Sequence, residues 1–558
     1  MKSKLLSGFF AVLTCWLGFP NPIIHLPLLA LCFPGIMLIL ALKSKSNRQA
    51  FSFGLLTGMF AYSACLYWIA VPVHDYGYMP WIVSLPFPVL LGTYVALYSG
   101  LFCLLVRKFC PLFTGWRLPL ESSTPIKAIP ILKLIVFCSL LWAGLEYLRG
   151  WLFTGFPWLT LSSAFVPWSW AIQGLSALGG YALSGLYAGI AVSFTITAYY
   201  LHNKSKAQSL SPLLAPAAFF IPVMLFLVLW TTEAFSPKAN STQAIGVVMV
   251  QGNINQDQKW NPGAQQATFQ HYRRLTEVAL DEIARGKIRF DHISSDETPP
   301  YEPPFKLVIW PETAMPFFYQ YGGALSQGIA ELARRNNVYL LFGSPDKESA
   351  PNKSFSEFPV FNRAYLLNPN GETIGVYDKE HLVPFGEYAP PWLKFPILEF
   401  LLAEVGDLDP GVYTTPLKAG DVRMGILICY EVIFQELAQK RVADGANILI
   451  TISNDAWFGS TAAPEQHLQL GIMRAVEQGR WLVRATNTGI TVIVNPLGER
   501  TRQGNSFVAE TLTGLAYTQQ TTTFFHKIEP YLPYLILLAL ILLVAPGYIS
   551  RKIHKINK

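Results

Sequence analysis

The feature that most constrains the fold is the grouping of apolar residues into long blocks around one polar stretch between Pro237 and Lys527. Charged residues make up only 14% of the chain, against roughly 25% in a soluble globular protein. Most of the apolar blocks reach the roughly 20 residues that a helix needs to cross the hydrocarbon of a bilayer. The sequence therefore predicts an integral membrane protein with seven spans before the polar stretch and one after it, at residues 5–19, 23–42, 51–72, 82–106, 129–148, 170–201, 213–235 and 530–549.

The basic residues beside these segments predict the orientation of the chain. If the N-terminus is cytoplasmic, the inside segments carry nearly all of them: Lys2, Lys4, Lys43, Lys45, Arg48, Arg107, Lys108, Arg117, Lys127, Lys204, Lys206, Arg551, Lys552, Lys555 and Lys558. The short outside loops carry only Arg149. This pattern follows the positive-inside rule and predicts that the polar stretch lies outside the cytoplasm, in a periplasm-like space. It also accounts for the net charge of +7 without a nucleic-acid partner.

Short β-rich runs alternate with helical patterns in the polar stretch, which is typical of an α/β sandwich. The strands are predicted at 244–251, 306–310, 338–343, 363–367, 424–428, 448–453 and 491–495, and the helices at 265–285, 325–336, 431–444 and 464–479. The predicted organisation is a membrane domain of seven helices at 1–235, an extracytoplasmic α/β domain at 236–528, and an eighth helix with a basic tail at 529–558. Residues 286–304 are predicted to form an exposed loop, to which we assign no role.

Four reactive side chains lie in motifs compatible with one site. Glu312 follows a predicted strand and a proline, Lys379 and Glu387 share one loop, and Cys429 stands between a predicted strand and the start of a predicted helix. Open α/β sheets carry their sites at the carboxyl ends of strands, and a helix N-terminus favours a thiolate. Cys429 is the only cysteine of the polar stretch, so it is either a nucleophile or a small buried hydrophobe.

In this order, Glu, Lys and Cys resemble the catalytic residues of the carbon–nitrogen hydrolase (nitrilase) superfamily. Within that superfamily the chain resembles the apolipoprotein N-acyltransferase family along nearly its whole length. The motifs that carry the resemblance are 146–158 (EYLRGWLFTGFPW), 250–254 (VQGNI) with Trp260, 310–312 (WPE), 381–388 (HLVPFGEY), 429–431 (CYE) and 453–459 (SNDAWFG). The implied fold is a nitrilase-like αββα sandwich inserted in an all-α polytopic membrane domain of about eight helices.

The resemblance implies a role for each matching residue. Glu312 would be the general base, Cys429 the nucleophile that forms an acyl thioester, and Lys379 the group that stabilises the tetrahedral oxyanion. Glu387 would orient Lys379, and Trp260 would line the substrate entrance. The full set of supporting or substrate-binding residues is Glu387, Tyr388, Tyr430, Glu431, Trp260, Asn454, Trp457 and Phe458.

Electrostatics favours grouping the three central residues. A carboxylate and a thiolate about 4 Å apart repel by about 4 kcal/mol at an effective dielectric constant near 20. Glu312 and Cys429 are therefore expected to share one proton. A lysine between them offsets the repulsion and lets Glu312 accept that proton during the reaction.

The same resemblance implies the substrates. A membrane phospholipid would donate a fatty acyl chain to Cys429, and the α-amine of the N-terminal S-diacylglyceryl-cysteine of an apolipoprotein would accept it, in the last step of lipoprotein maturation in the bacterial inner membrane. Moving each CH₂ of an acyl chain into water costs about 0.8 kcal/mol, so the thiol must meet the chain at the bilayer. Residues 390–402 and 316–321 are candidate interfacial segments. No cofactor or metal is expected, because no Cys/His cluster has ligand spacing and no glycine-rich phosphate loop follows a strand; the chain is expected to be a monomer.

Other interpretations remain open from the residues alone. Each motif residue has an ordinary structural explanation, such as a solvated Glu312, a surface Lys379 or core tryptophans at 260 and 457. His381 and His467 permit a Cys–His protease. A membrane-anchored amidase that hydrolyses small amides would use the same Glu, Lys and Cys. A transporter whose outer domain only binds a ligand is a non-enzymatic alternative, although the spans hold few of the acidic residues that mark transport paths.

Overall fold

The computed structural model describes residues 2–114, 128–202, 214–231, 241–290, 302–349, 354–389, 406–412 and 415–556. The segment 390–402, proposed above as an interfacial contact, and most of the loop 286–304 lie outside the described residues. The boundary between the two predicted domains, at 235/236, also lies outside them.

Long apolar helices dominate the N-terminal region and the C-terminal end. The helices before the first strand are α1 Lys2–Gly18, α2 Cys32–Leu42, α3 Asn47–Cys65, α4 Ala70–Asp75, α5 Trp81–Ser84, α6 Pro86–Thr114, α7 Ala128–Trp151, α8 Ser169–Ile172, α9 Leu175–His202 and α10 Leu214–Thr231. Those of the remaining chain are α11 Gln256–Lys259, α12 Gln265–Ala284, α13 Ala324–Asn336, α14 Gln435–Ala443, α15 Ala463–Gln478, α16 Phe524–Ile528 and α17 Leu532–Ile556.

An apolar helix coincides with each of the eight predicted spans, but their lengths differ. Within the described residues, four helical segments are long and apolar enough to cross a membrane, namely Trp81–Phe113, Ala128–Thr154, Leu175–His202 and Phe524–Ile549. A fifth is possible if Asn47–Cys65 and Tyr67–Asp75, which are bent by 63°, form one broken span. Leu6–Gly18, Pro27–Leu42 and Leu214–Leu227 are shorter apolar helices. The chain is a membrane protein, and its eight-span topology stays a prediction.

Two six-stranded sheets form the α/β part. The first has the order β12-β1-β2-β3-β4-β5 and the second β11-β10-β9-β8-β7-β6. The strands are β1 Ser241–Gln251, β2 Phe305–Ile309, β3 Tyr339–Lys347, β4 Val360–Leu367, β5 Thr373–Asp378, β6 Leu417–Ala419, β7 Val422–Ile428, β8 Ile448–Ser453, β9 Leu482–Thr486, β10 Val492–Val494, β11 Arg500–Gln503 and β12 Glu510–Gln519. Strands β1, β2 and β3 run parallel, as do β7, β8 and β9.

The alternation of side chains along the strands builds two separate cores. In β1, Val247 and Met249 point into the core between the sheets, whereas Val248 and Val250 pack on the outer helices α12 and α13. A strand that is covered on both faces has a continuous run of apolar residues in its sequence, and β1 contains such a run. The predicted αββα sandwich with an attached helical region is confirmed.

Helix α15 lies between the second sheet and the apolar N-terminal region. Leu470 and Ile472 of α15 belong to one buried apolar cluster with Trp158, Leu161 and Phe165, which follow the long helix α7. The α/β sandwich is therefore connected to the apolar N-terminal region by a shared core as well as by the chain.

The predicted strands and helices are found, with shifts at their ends and one error of consequence. The helix predicted at 431–444 begins only at Gln435, because Cys429–Ile433 forms a 3₁₀ turn. Strands β5, β6, β9, β11 and β12 were not predicted from the sequence. Several of them are short or partly exposed, so they lack a continuous apolar run.

Gly343 in β3 provides a test of how the first sheet positions Glu312. A Cβ at Gly343 would stand 2.5 Å from the backbone nitrogen of Thr313 and 2.8 Å from the Cα of Glu312. Overpacking of this kind costs about 1–3 kcal/mol. Gly343→Ala is therefore expected to displace Glu312 and lower kcat by about 10-fold or more, while Gly263→Ala, whose Cβ meets nothing within 4 Å, leaves kcat unchanged. Equal kcat values for the two variants would contradict this account.

Candidate active site

The predicted reactive residues meet where strands of both sheets end. Glu312 comes shortly after β2, Lys379 directly after β5, Cys429 directly after β7 and Asn454 directly after β8. Strand β5 is two antiparallel steps from β3, so its carboxyl end lies at the same edge of the sheet as that of β2. The facing sheets thus bring the carboxylate of Glu312 and the ammonium of Lys379 from one side towards the thiol of Cys429 on the other.

Lys379 occupies the centre of a buried ion network. Its Nζ lies 2.8 Å from Oε1 of Glu387 and 3.4 Å from Oε1 of Glu312, and only 1% of the residue is exposed. Burial alone would lower the pKa of Lys379, but the charges of Glu387 and Glu312 outweigh burial and raise the pKa above its ordinary value. The lysine is therefore a permanent cation, as an oxyanion-stabilising group requires.

Two asparagines hold the carboxylate of Glu312. The side-chain amide of Asn362 donates to Oε1 of Glu312 at 2.7 Å and to Oε1 of Glu387 at 3.1 Å. The backbone N–H of Asn454 donates to Oε2 of Glu312 at 2.8 Å. Sequence reasoning missed Asn362; the signal that was available is a polar amide in the strand β4, whose other residues are mostly apolar.

The thiol of Cys429 is buried and protonated at rest. Burial and the nearby carboxylate of Glu312 raise the pKa of the thiol, and Lys379 only partly offsets them. Because Cys429 opens a 3₁₀ turn, it does not stand at the N-terminus of a regular helix, and the expectation that a helix favours its thiolate is wrong. The geometry instead calls for a base that removes the proton during the reaction.

Glu431 joins the loop of Lys379 to the turn of Cys429. Its Oε1 accepts from the hydroxyl of Tyr377 at 2.7 Å and from the backbone N–H of Glu380 at 2.8 Å, and its Oε2 accepts from the N–H of Ile428 at 2.7 Å. The residue is fully buried. Its position fits a structural role behind the site better than a place in the pocket wall.

Tyr430 belongs to the turn of Cys429, and Tyr388 belongs to the loop of Glu387. The hydroxyl of Tyr430 donates to the carbonyl of Gly155, in the motif 146–158, at 3.3 Å. Tyr388 is half-buried, and its carbonyl accepts from the N–H of Phe385 at 2.9 Å, which closes the loop that carries Glu387.

The predicted aromatic residues do not form one cluster. Trp260 is 49% exposed and follows α11, and Trp457 is 39% exposed and packs edge-on against Tyr76 at 4.6 Å. Phe458 is half-buried and packs on Trp68 at 5.0 Å between ring centroids. Partly exposed tryptophans are suited to an entrance for an apolar substrate.

Neither histidine is placed as a base for the thiol. Both ring nitrogens of His467 contact other groups, with Nε2 3.1 Å from the carbonyl oxygen of Cys429 and Nδ1 3.0 Å from Arg484. Burial and Lys379 lower the pKa of His381 to about 4, and its ring packs on Phe434. The Cys–His protease interpretation therefore has no support in this geometry.

Lys259 is another buried lysine near Glu312, and sequence reasoning missed it. Its Nζ donates to Oγ1 of Thr313 at 2.6 Å, directly after Glu312. Burial lowers the pKa of Lys259 to about 7. The sequence around Lys259, which precedes Trp260, does not indicate that this lysine is buried.

Two family models match the chain. Residues 11–193 match the apolipoprotein N-acyltransferase N-terminal domain, and residues 249–522 match the carbon-nitrogen hydrolase family. Curated relatives named apolipoprotein N-acyltransferase extend over most of the chain. The protein from Geobacter metallireducens is 35% identical over 92% of this chain and 89% of its own, and that from Azotobacter vinelandii is 32% identical over 87% and 84%. The relative from Methylococcus capsulatus is 31% identical over 85% of this chain and 82% of its own.

Asn362 provides a test of the hydrogen bonds around Glu312. Asn362→Leu removes a donor shared by two carboxylates, and a hydrogen bond to a charged group contributes about 1.5–3 kcal/mol. We expect kcat to fall about 10- to 100-fold with a KM near that of the parent protein. The exposed Asn370 provides the matched control, Asn370→Leu, for which both constants should stay within about twofold. Loss of activity in both variants would argue against a specific role of Asn362.

The protonation state of Cys429 can be measured directly by its alkylation with iodoacetamide, followed by mass spectrometry of the Cys429 peptide. Because the pKa of the thiol is raised, the rate should rise about tenfold per pH unit between pH 7 and 9. Glu312→Gln removes one cause of the raised pKa and should speed alkylation at pH 8, although it abolishes turnover. Glu372→Gln, at an exposed site, should change neither the rate of alkylation nor the rate of turnover. A rate that is already constant below pH 7 would show a preformed thiolate instead.

Proposed function

The chain belongs to the apolipoprotein N-acyltransferase family, and from this premise we propose that it transfers a fatty acyl chain from a membrane phospholipid, through a thioester on Cys429, to the N-terminal amine of diacylglyceryl-modified apolipoproteins. The N-acyltransferase activity follows from relatives that match along most of the chain. The observation that supports the route is the buried Lys379 between the carboxylates of Glu312 and Glu387, next to a protonated thiol.

In the first half-reaction Glu312 takes the proton of the Cys429 thiol while Sγ attacks the ester carbonyl of the phospholipid. The carbonyl oxygen becomes an oxyanion, which the ammonium of Lys379 stabilises; one such donor contributes about 3–4 kcal/mol to the transition state. The C–O bond then breaks, and Glu312 returns the proton to the departing alkoxide. The products are a lysophospholipid and an acyl-Cys429 thioester.

In the second half-reaction the free α-amine of the apolipoprotein attacks the thioester carbonyl. Lys379 again stabilises the oxyanion, Glu312 accepts a proton from the amine, and the C–S bond breaks. The proton returns to the sulfur, which restores the thiol and leaves an amide. Since the acceptor is an amine and not water, the acyl-enzyme must be protected from hydrolysis, and the burial of Cys429 supports that requirement.

We further propose that the site lies on the periplasmic side of the bacterial inner membrane and that the chain acts as a monomer. The distribution of basic residues supports this orientation. The core shared by α15 and the N-terminal region supports a site held at the bilayer surface, where an acyl chain can reach sulfur without crossing water.

The same three residues would serve an amidase that hydrolyses small amides, the alternative kept open from the sequence. The match of residues 11–193 to the apolipoprotein N-acyltransferase N-terminal domain and the names of the relatives favour the acyltransferase. A soluble substrate also offers no reason for a site whose core merges with apolar helices.

The decisive experiment incubates the purified chain with phospholipid vesicles and no acceptor. We expect a fatty acyl adduct on Cys429 by mass spectrometry and one lysophospholipid per adduct by thin-layer chromatography. Cys429→Ala should give neither product. Cys32→Ala, which removes an exposed free cysteine of α2, should give both.

Addition of a diacylglyceryl-cysteine peptide should then discharge the adduct and form an amide. Adduct formation without lysophospholipid, or amide formation by Cys429→Ala, would contradict the proposed route. Lys379→Met should slow acylation by at least about 100-fold, because the oxyanion loses its cation.

A further inference from the structure

The turn that presents the nucleophile is held by helix α15, and from this geometry we infer that His467 and Arg474 of α15 are positioning residues that fix Cys429 by hydrogen-bonding the backbone carbonyls at both ends of its turn. The inference rests on the proposed function, because it concerns the same thiol. It assigns neither residue a contact with the substrate.

His467 binds the first carbonyl of the turn. The residue is 1% exposed, and its Nε2 lies 3.1 Å from the carbonyl oxygen of Cys429. Its Nδ1 lies 3.0 Å from the guanidinium of Arg484, which also contacts Asp455. Nδ1 also lies 3.2 Å from Oδ1 of Asp455. A carbonyl oxygen can only accept, so Nε2 carries the hydrogen that is donated to Cys429, and Nδ1 of the neutral ring accepts from Arg484.

The charge state of His467 agrees with this assignment. Burial and the adjacent Arg484 lower the pKa of the imidazole, against the opposing effect of Asp455. The ring is therefore neutral at physiological pH. A neutral imidazole with its single hydrogen directed at a carbonyl acts as a hydrogen-bond donor and is not available as a base for the thiol.

Arg474 binds the carbonyl at the other end of the turn. Its Nη1 donates to the carbonyl oxygen of Ile433 at 2.9 Å. His467 and Arg474 are seven residues apart and thus lie on the same face of α15. The ion pair of Arg474 with Glu477, at 2.8 Å, fixes the guanidinium in turn.

The backbone of Cys429 explains why this clamp, formed by the hydrogen bonds from His467 and Arg474, is needed. Its φ is +50°, in the left-handed region that costs an ordinary residue about 1–3 kcal/mol and persists only where surrounding contacts over-determine it. One of the two carbonyls that α15 holds belongs to this residue, and the other belongs to Ile433 at the end of the turn. Without these two hydrogen bonds the strained turn can relax to another backbone conformation. A shift of about 1 Å at the sulfur is enough to slow its attack about 100-fold.

Other residues of α15 contact the apolar N-terminal region. The Oε1 of Gln466 accepts from the indole N–H groups of Trp68 and Trp158, at 3.0 and 2.8 Å. The Oε1 of Glu477 accepts from the backbone N–H of Gly180 at 2.9 Å. The element that fixes the nucleophile is therefore itself fixed by the apolar helices and their loops, so the membrane region supports the geometry of the thiol as well as its location.

A pair of amide substitutions at His467 tests the inference in the full-length protein. His467→Gln places an amide N–H near the position of Nε2 and can still donate to Cys429, whereas the shorter His467→Asn cannot reach it. We expect His467→Gln to acylate Cys429 within about fivefold of the parent rate and His467→Asn to be about 30- to 100-fold slower, with KM for phospholipid unchanged in both. His526→Gln and His526→Asn provide matched controls at the far end of α15, where His526 contacts Gln478, and both should keep the parent rate.

Two results would overturn the inference. If His467→Asn acylates at the parent rate, the hydrogen bond does not position the thiol. If His467→Gln is as slow as His467→Asn while both keep the melting temperature of the parent protein, the imidazole acts by titrating and not by donating. If His467→Asn does not accumulate as folded protein, His467→Gln alone decides. A donor role predicts that His467→Gln keeps its acylation rate, and a titrating role predicts that the rate falls.

Alkylation of Cys429 by iodoacetamide separates this inference from the proposed function, because it needs no lipid. A wild-type protein that forms no acyl adduct on Cys429 would refute the acyl-enzyme route. The alkylation rates of the two His467 variants would still differ if the clamp sets the position of the sulfur, and equal rates would refute the clamp alone.

Discussion

The site depends on one buried ammonium held between two carboxylates. An isolated charge at the depth of Lys379 would be very costly, and it persists because Glu312 and Glu387 both contact it. These contacts hold the carboxylate of Glu312 near the thiol of Cys429, whose pKa is raised by burial and by that carboxylate. The two carboxylates, the ammonium and the thiol are therefore parts of one electrostatic unit, in which removal of a charged member changes the environment of the others.

A second constraint is that the catalytic sandwich is continuous with the apolar helices. The outer layer of the second sheet, α15, packs on the loop that follows α7 and donates hydrogen bonds to the turn of Cys429. In this arrangement the turn of Cys429 is held by a helix that also packs on the apolar N-terminal region.

The parts of the site that could be predicted are those marked by local pattern. Glu312 and Cys429 each follow an apolar run that ends abruptly, so the sequence pattern predicts that they lie at the ends of strands. Lys379 follows β5, a partly exposed strand with no clear pattern, and its role came from the resemblance alone. Asn362 was missed because nothing near it in the sequence indicates that its amide bridges two carboxylates from other loops. The helix start was placed too early because the 3₁₀ turn of Cys429 has the same apolar character as a helix.

The sequence by itself determined the apolar blocks, the basic residues beside them, the strand–helix alternation and the residue types of the site, because these follow from hydropathy and periodicity over short windows. Only the tertiary structure decided which loops meet. The contact of Lys379 with Glu312, the bridge through Asn362 and the clamp of α15 on Cys429 join residues that are tens of positions apart in the chain. Such contacts depend on how two facing sheets and a helical layer pack, which no local window of the sequence contains.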